Sequence, residues 1–509
     1  MKHLKLTRMA SALLLAAMLT AAPSLYAQTT DEESGQNATE GLAKRASRPF
    51  SFGDTFVGYV VKDCHSYIQT ETFTYTTVSD DGNTVTLSAV MLIPKSGDVK
   101  SPTNMIVMLP YTFSQDKETA SYVLENKKYG ANGPSMMSTY AKYNEDALAD
   151  SSKLFSYNNL VIIPDYQGFG ASEEELFSYL NHEVAARQVV DAIHAGLKKF
   201  YDDKHSFYND NWKTTLFGYS YGASVALATQ KYLEQTGYAD SIRLQGSICG
   251  SGCYDPLGTI RNYAENDKIS TLPVALLMFN ALLKGKPNLR KYKAEDFLTE
   301  KMINSHLLDS TLSKKYTLSE ISQILLKNNN QYGFTIYSPQ YKDNGQYDYV
   351  INSDTTGDAY SAVVPMSEVF KPEVMEYFLN DNNFSDSLSK TRRMPTASGK
   401  LYDFHRAIES NNALLGWQPK HRIILVHGKY DILVPYQNSV TAYEDLTYNG
   451  NKNVKFHTYS KGPGMQKSVH LDLGAEILVP IPVWYDKGST YLKQLYYEDD
   501  AWNSLEPEK

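Results

Sequence analysis

The sequence predicts an α/β fold: a mostly parallel central sheet flanked by helices, interrupted by a mainly helical insertion. Three observations predict it. Short apolar runs recur at residues 104–110, 158–166, 213–220, 241–250, 421–428 and 453–460. Strands buried on both faces read as such runs, and strands that alternate with helices form a parallel sheet covered on both sides. Helical segments lie between them, as at residues 181–200, where Val184, Ala185, Val189, Ile193 and Leu197 recur at helical spacing. The interval from about 256 to 399 breaks the alternation and reads as helices, in "LPVALLMFNALL", "AEDFLTEKMINSHLL", "LSEISQILL" and "SEVFKPEVMEYFL".

At the N-terminus, Lys2, Lys5 and Arg8 precede an uncharged Leu/Ala-rich run. That is the layout of a secretory signal peptide, expected over residues 1–27 with cleavage after Ala27. The run is shorter than the roughly 18–20 apolar residues of a membrane span. Residues 28–48 are polar and read as a flexible leader. The expected product is secreted or periplasmic, with no permanent membrane anchor. The core's first part is expected over residues 49–255, the helical cap over 256–399 and the second part over 400–509. In the first part "FTYTTVSDDGNTVTLSAVMLIP" alternates in β fashion around Asp-Gly and reads as a hairpin. A Tyr/Asn/Gly-rich stretch, residues 328–360, breaks the helical pattern of the cap.

The formal net charge is -8, and no long Lys/Arg block occurs, so nucleic acid is not an expected partner. The 39 tyrosines are scattered over every segment, which points to compositional bias rather than to one binding surface. Three cysteines, Cys64, Cys249 and Cys253, leave at least one thiol unpaired, and a bridge from Cys64 to either of the others stays open. No His pattern accompanies Cys249 and Cys253, so no zinc site is expected.

The chemistry centres on Gly218-Tyr219-Ser220-Tyr221-Gly222. The pattern G-x-S-x-G suits a serine on a sharp strand-to-helix turn, where the flanking residues must be small because strand and helix nearly touch. Alone it is a common pattern, and its plain reading is a turn that contains a serine. Its context is rarer: an apolar strand ends at Phe217 and a small-residue helix begins at Ala223. A serine hydroxyl needs a histidine base, and the histidine needs a carboxylate to orient it. On such a sheet the chain order is serine, acid, base. Asp431 follows the strand of "IILVHGKYDILVP", and His470 follows the last strand in "GPGMQKSVHLDLG".

The competitors fit less well. His427 is four residues before Asp431 and is expected to shape that turn. His457 lies in a strand, and His182 and His194 lie on a helix. Asp165 is expected to stabilise the "PDYQGFG" loop, and Asp472 is too near His470 in sequence to orient it. An oxyanion needs two N–H donors. One is expected from Tyr221, after the nucleophile. The other comes from Tyr111, Thr112 or Phe113, because Pro110 has no N–H; Thr112 is the expected one. Tyr219 is expected to pack beneath the turn. This chemistry calls for no metal and no organic cofactor.

Taken together, "PDYQGFG", "GYSYGA", "HGKYDILVPYQNS" and "SVHLDLGAEILVPIPVWYDKG" resemble the secretory lipase family of fungi and bacteria, typified by lipase A of Candida. The Val-Pro-Tyr after Asp431 and the "HLDLGAEI" block from His470 are the most specific matches. The similarity runs from about residue 104 to about 484, the cap matching only in position and approximate size. The resemblance implies an α/β-hydrolase with an inserted helical cap, acting on carboxylic esters, and supports Ser220, Asp431 and His470 as its triad. The sequence departs from the fungal pattern in its first oxyanion loop, its few cysteines and its cap. The expectation is an exported serine esterase or lipase for a small-molecule or lipid ester, with transient lipid contact through the cap. A carbohydrate esterase, a serine exopeptidase and, in another class, a catalytically dead binding protein are the alternatives.

Overall fold

A computed structural model describes residues 68–94, 101–126, 159–342, 345–351, 362–383, 399–463, 468–478 and 487–506. The expected signal peptide, leader and Cys64 lie outside them. Ten strands are described: β1 (Ile68–Val78), β2 (Thr84–Pro94), β3 (Asn104–Leu109), β4 (Asn159–Pro164), β5 (Thr214–Tyr219), β6 (Leu244–Gly250), β7 (Tyr337–Tyr341), β8 (Tyr347–Ile351), β9 (Arg422–Gly428) and β10 (Val454–Tyr459). Eight make one sheet in the order β1-β2-β4-β3-β5-β6-β9-β10, while β7 and β8 pair separately. The hairpin read from the Asp-Gly turn is β1–β2, with Val78 opposite Thr84. β2 runs antiparallel to β4, and every later pairing in the large sheet is parallel. This mostly parallel sheet flanked by helices is an α/β-hydrolase fold.

The apolar runs are strands because the sheet's centre admits no polar face. Every residue of β3 and of β5 is buried. Helix α1 (His182–Asp202) buries the five positions that the helical spacing selects, and packs against α2 (Tyr221–Thr236). The chain between β6 and β9 includes α3 (Pro256–Asn266), α4 (Leu272–Gly285) and α5 (Leu318–Tyr332). Its own core is aromatic: the Phe279 and Phe297 rings lie 5.9 Å apart, and Phe404, beyond residue 399, packs 5.0 Å from Phe297. The insertion is not wholly helical. The β7–β8 hairpin occupies the Tyr/Asn/Gly-rich stretch, where Tyr337, Tyr341, Tyr347 and Tyr349 are residues that strands favour.

The junction of β5 and α2 positions the site. Ser220 lies between them at φ 55° and ψ −124°, a conformation that side-chain-bearing residues seldom adopt. Its amide donates to the Gly250 carbonyl at the end of β6, at 2.8 Å. Two glycines make this turn sterically feasible. A Cβ on Gly222 would fall 2.0 Å from the Leu109 carbonyl oxygen and 2.7 Å from that of Pro110. A Cβ on Gly218 would fall 2.2 Å from the Gly222 carbonyl oxygen. The first turn of α2 therefore lies directly against the loop that follows β3.

Because the obstructing atoms at Gly222 are main-chain carbonyls, Gly222→Ala must displace backbone. It is expected to cost at least about 2–3 kcal/mol of stability, measured by calorimetric unfolding. Gly237, at the end of α2, has φ +78°, and a Cβ added there would meet nothing within 4 Å, so Gly237→Ala carries only backbone strain. That strain is on the order of 1 kcal/mol. Equal losses from the two substitutions would count against close approach as the limiting constraint.

Candidate active site

The three residues of the expected triad stand at the carboxyl ends of sheet strands, where ligands of open α/β sheets bind. Ser220 follows β5 and is half-buried. Asp431 lies in the turn after β9, and His470 in the first turn of α6 (Val469–Leu478). His470 Nδ1 is 2.6 Å from Asp431 Oδ2, and both residues are buried. Asp431 Oδ1 accepts the Leu433 and Val434 amides at 2.9 and 3.0 Å. Burial alone would raise the Asp431 pKa; the His470 charge and hydrogen bonds from His427 and His470 outweigh it and hold the carboxyl well below its ordinary range. Asp431 is thus an ionised acceptor, and its contact with Nδ1 of His470 calls for a proton on that nitrogen.

His427 stiffens the acid turn from below. Its Nε2 is 3.0 Å from the Val434 carbonyl, which can only accept, so Nε2 carries the proton and Nδ1 accepts from the Ser439 hydroxyl at 2.7 Å. The same Nε2 lies 3.5 Å from Asp431 Oδ2. Tyr219 exceeds the packing role expected of it. Its hydroxyl donates to the His470 carbonyl at 2.7 Å, and its ring lies 5.0 Å from the imidazole. One residue thus ties the strand that delivers Ser220 to the helix turn that delivers His470. Adjacency to Ser220 is the only sign of Tyr219 in the sequence.

Tyr221 opens α2, so its amide has no carbonyl four residues back within the helix. Its ring is buried 4.9 Å from Tyr166, 4.7 Å from Tyr179 and 5.9 Å from Phe177. Thr112, in the loop after β3, joins the same cluster through a 2.9 Å hydrogen bond between its hydroxyl and that of Tyr179. The two expected oxyanion residues therefore both contact Tyr179, Thr112 through its hydroxyl and Tyr221 through its ring. The Thr112 loop has its own anchor, Glu118, which no sequence motif marks. Its carboxylate accepts the Ser114 and Gln115 amides at 2.9 and 3.2 Å. Burial raises its pKa to about 7, against the opposing pull of those hydrogen bonds.

The competing residues are held elsewhere. Buried His182 directs Nδ1 to the Asn411 carbonyl, and burial lowers its pKa to about 4. His194 packs edge-on to Tyr238, and His457 stacks on Tyr491. Asp165 accepts the Ser88 hydroxyl at 2.7 Å, and Ser88 in turn accepts the Ala171 amide, which ties down the loop after β4. Cys249 and Cys253 are free thiols. Among the described residues no group of three or more His, Cys, Asp and Glu side chains is arranged to hold a metal, and no helix is long and apolar enough to cross a membrane. A hollow of about 580 Å³, lined by both cations and anions, among them Lys213, Asp240, Arg243, Arg422 and Asp499, lies at the amino ends of the strands, away from Ser220.

The secretory lipase family model matches residues 151–313, less than half of the chain. No protein of curated function matches the sequence. Among solved structures, the rice cell wall degrading esterase LipA from Xanthomonas oryzae is similar at 18% identity and a TM-score of 0.56, over 81% of this chain and 89% of that one. A candidate hydrolase from Legionella pneumophila is similar at 16% identity and a TM-score of 0.55, over 88% and 98%. Candida antarctica lipase A gives 15% identity and a TM-score of 0.47, over 80% and 74%. At these identities the likeness concerns the fold.

Two outcomes follow from the geometry. Glu118 binds its proton more tightly in the folded chain than its ordinary value of 4.5 allows in the unfolded one, so its contribution to stability is full below pH 4.5 and lost as pH rises to about 7. Glu118→Gln is expected to flatten the profile of urea-unfolding free energy across that window, by on the order of 3 kcal/mol. Tyr219→Phe keeps the ring but leaves the His470 carbonyl without its donor. It is expected to lower the rate of the reaction proposed below about tenfold with little change in KM, read from steady-state kinetics.

Proposed function

We propose, from an α/β-hydrolase fold with a secretory lipase match over residues 151–313, that this chain is a serine-dependent carboxylic ester hydrolase. The observation that carries the reading is the buried, ionised Asp431 bonded to Nδ1 of His470, on a sheet whose next-but-one strand, β5, ends in a serine on a strained turn. Ser220 Oγ attacks the ester carbonyl while His470 Nε2 takes its proton. The resulting imidazolium is stabilised by Asp431, which stays ionised. The oxyanion is held by the amide of Tyr221 and by an amide of the loop after β3, with Thr112 the assigned residue. His470 returns the proton to the departing alcohol, leaving an acyl-Ser220 ester. Water, deprotonated by His470, attacks that ester and releases the acid.

The β6–β9 insertion is assigned as a cap over the site, and the substrate as a small-molecule or lipid ester that meets the cap at a lipid surface. Export is part of the proposal and rests on the basic, then apolar, N-terminal segment. A carbohydrate ester is the alternative substrate class. Hydrolysis across p-nitrophenyl esters of increasing chain length, with and without an oil–water interface, separates it from lipase action.

Ser220→Ala is expected to abolish hydrolysis of short p-nitrophenyl esters and labelling by a fluorophosphonate probe; more than a few per cent residual turnover would remove Ser220 from the mechanism. Asp431→Asn should leave the fold intact and reduce kcat on the order of a thousandfold or more, because the amide favours the wrong imidazole tautomer.

A further inference from the structure

The turn that carries Asp431 is held by residues of the insertion as well. The turn runs from Gly428 to Val434, and three of its carbonyls accept a side-chain hydrogen bond. His427, beneath it, supplies the one to Val434. The other two come from tyrosines of the insertion. Tyr347, the first residue of β8, donates its hydroxyl to the Tyr430 carbonyl at 2.9 Å. Tyr263, on α3, donates to the Leu433 carbonyl at 2.6 Å.

The Tyr430 carbonyl belongs to the peptide unit whose N–H is that of Asp431. That N–H donates to the Gly428 carbonyl at 3.1 Å. With Tyr347 in place, both polar ends of this peptide unit are engaged, and its plane has no freedom to tilt. Leu433 is equally direct, because its own amide donates to Asp431 Oδ1. Tyr263 therefore fixes a residue that grips the carboxylate.

The hairpin is built to sit at this place. Gly345, at φ +85°, lies so close to the Tyr430 ring that a Cβ would fall 2.3 Å from it. Tyr341 of β7 packs 5.4 Å from the Tyr430 ring and 5.5 Å from Tyr347. Gly462, in the chain after β10, lies against Tyr341, where a Cβ would fall 2.3 Å from that ring. Charge agrees with the geometry. Burial raises the pKa of Tyr347 well above its ordinary value, and the negative charge of Asp431 is the largest electrostatic contribution after it. The phenol stays protonated and remains a donor.

We propose that Tyr347 and Tyr263 are positioning residues for Asp431, through which the insertion holds the acid in register with His470. They touch neither substrate nor the reacting atoms; they act through the main chain of the acid turn. The competence of the Asp431–His470 pair then depends on the hairpin being seated, so the state of the insertion is read by the chemistry as well as by substrate access. This inference rests on the ester hydrolase reading for its kinetic consequence alone.

The test uses Tyr347→Phe, Tyr263→Phe and the double variant in the full chain, with Tyr349→Phe as control. Tyr349 is on the same hairpin, packs under the Lys268 ammonium and has no described hydrogen bond to the acid turn. Each single variant is expected to lose about tenfold in kcat on p-nitrophenyl butyrate with KM within twofold. The double variant should lose less than the product of the two, because both act on one turn. The Nδ1 proton of His470, read as a downfield resonance by NMR, should move in each of these variants and stay put in Tyr349→Phe. Wild-type kcat and an unmoved resonance in folded Tyr347→Phe, with circular dichroism and thermal midpoint as wild type, would overturn the proposal. So would an equal effect of Tyr349→Phe. If the wild-type chain hydrolyses no ester and takes no fluorophosphonate label, the ester hydrolase reading falls. The resonance then decides alone: unmoved in Tyr347→Phe, it overturns the clamp, and shifted, it upholds it.

Discussion

The close approach of Gly222 to the main chain after β3 is the contact on which the site depends. It lets α2 begin one residue after β5 ends, and it forces Ser220 into its strained backbone conformation. It also sets the main chain at Leu109 and Pro110, which leads into the Thr112 loop, against the first turn of α2, so on the proposed mechanism one steric event serves both the nucleophile and its oxyanion donors. Strain of this kind persists only where the surroundings over-determine it. Here they do: the Ser220 amide is bonded to Gly250, the Tyr221 ring is enclosed by aromatic neighbours, and Tyr219 is tied to His470.

Around this fixed point the electrostatics are arranged to keep a buried carboxylate charged. Removing Asp431 from water favours its neutral form, yet the neutral form would not orient a histidine. Two amides, His470 and the nearby His427 offset that cost, and each also constrains geometry. Glu118 shows the contrasting balance. It accepts two amides of its loop, but burial, aided by the nearby negative charge of Glu320, prevails, and its pKa rises to about 7. The difference between the two carboxylates is the presence of imidazole partners, not the depth of burial.

Much of this was legible in the sequence because the constraints are local. The elbow glycines and the apolar strands follow from short-range pattern, the helical spacing of residues 181–200 selects the face that α1 buries, and chain order picks out Asp431 and His470, which lie in contact. The β7–β8 hairpin was less legible. Its strands are five residues long, half-exposed and interrupted by Pro339, so neither alternation nor an apolar run stands out. The hydroxyl donors were not legible at all. Tyr219, Tyr263 and Tyr347 act on carbonyls distant in sequence, through contacts that no spacing encodes, and among 39 tyrosines none is marked by composition.

A main-chain carbonyl is an economical place to hold a reacting side chain. A hydrogen bond to Nε2 of the imidazole would compete with the proton transfers proposed for it. A hydrogen bond to the neighbouring carbonyl fixes the same backbone without touching the titrating atoms. A phenol is well suited to this role. Its rigid ring reaches across a packed interface at little entropic cost, and burial keeps it protonated, as the raised values of Tyr219, Tyr263 and Tyr347 show. The main chain at His470 is held in this way from within the sheet, by Tyr219, and the turn of Asp431 from the insertion, by Tyr263 and Tyr347. The asymmetry has a consequence. On the proposed mechanism, the base keeps its tyrosine support in every state of the folded core, whereas the acid turn keeps His427 but holds its two tyrosine donors only while the insertion is docked, which makes Asp431 the member of the proposed triad most sensitive to what covers the site.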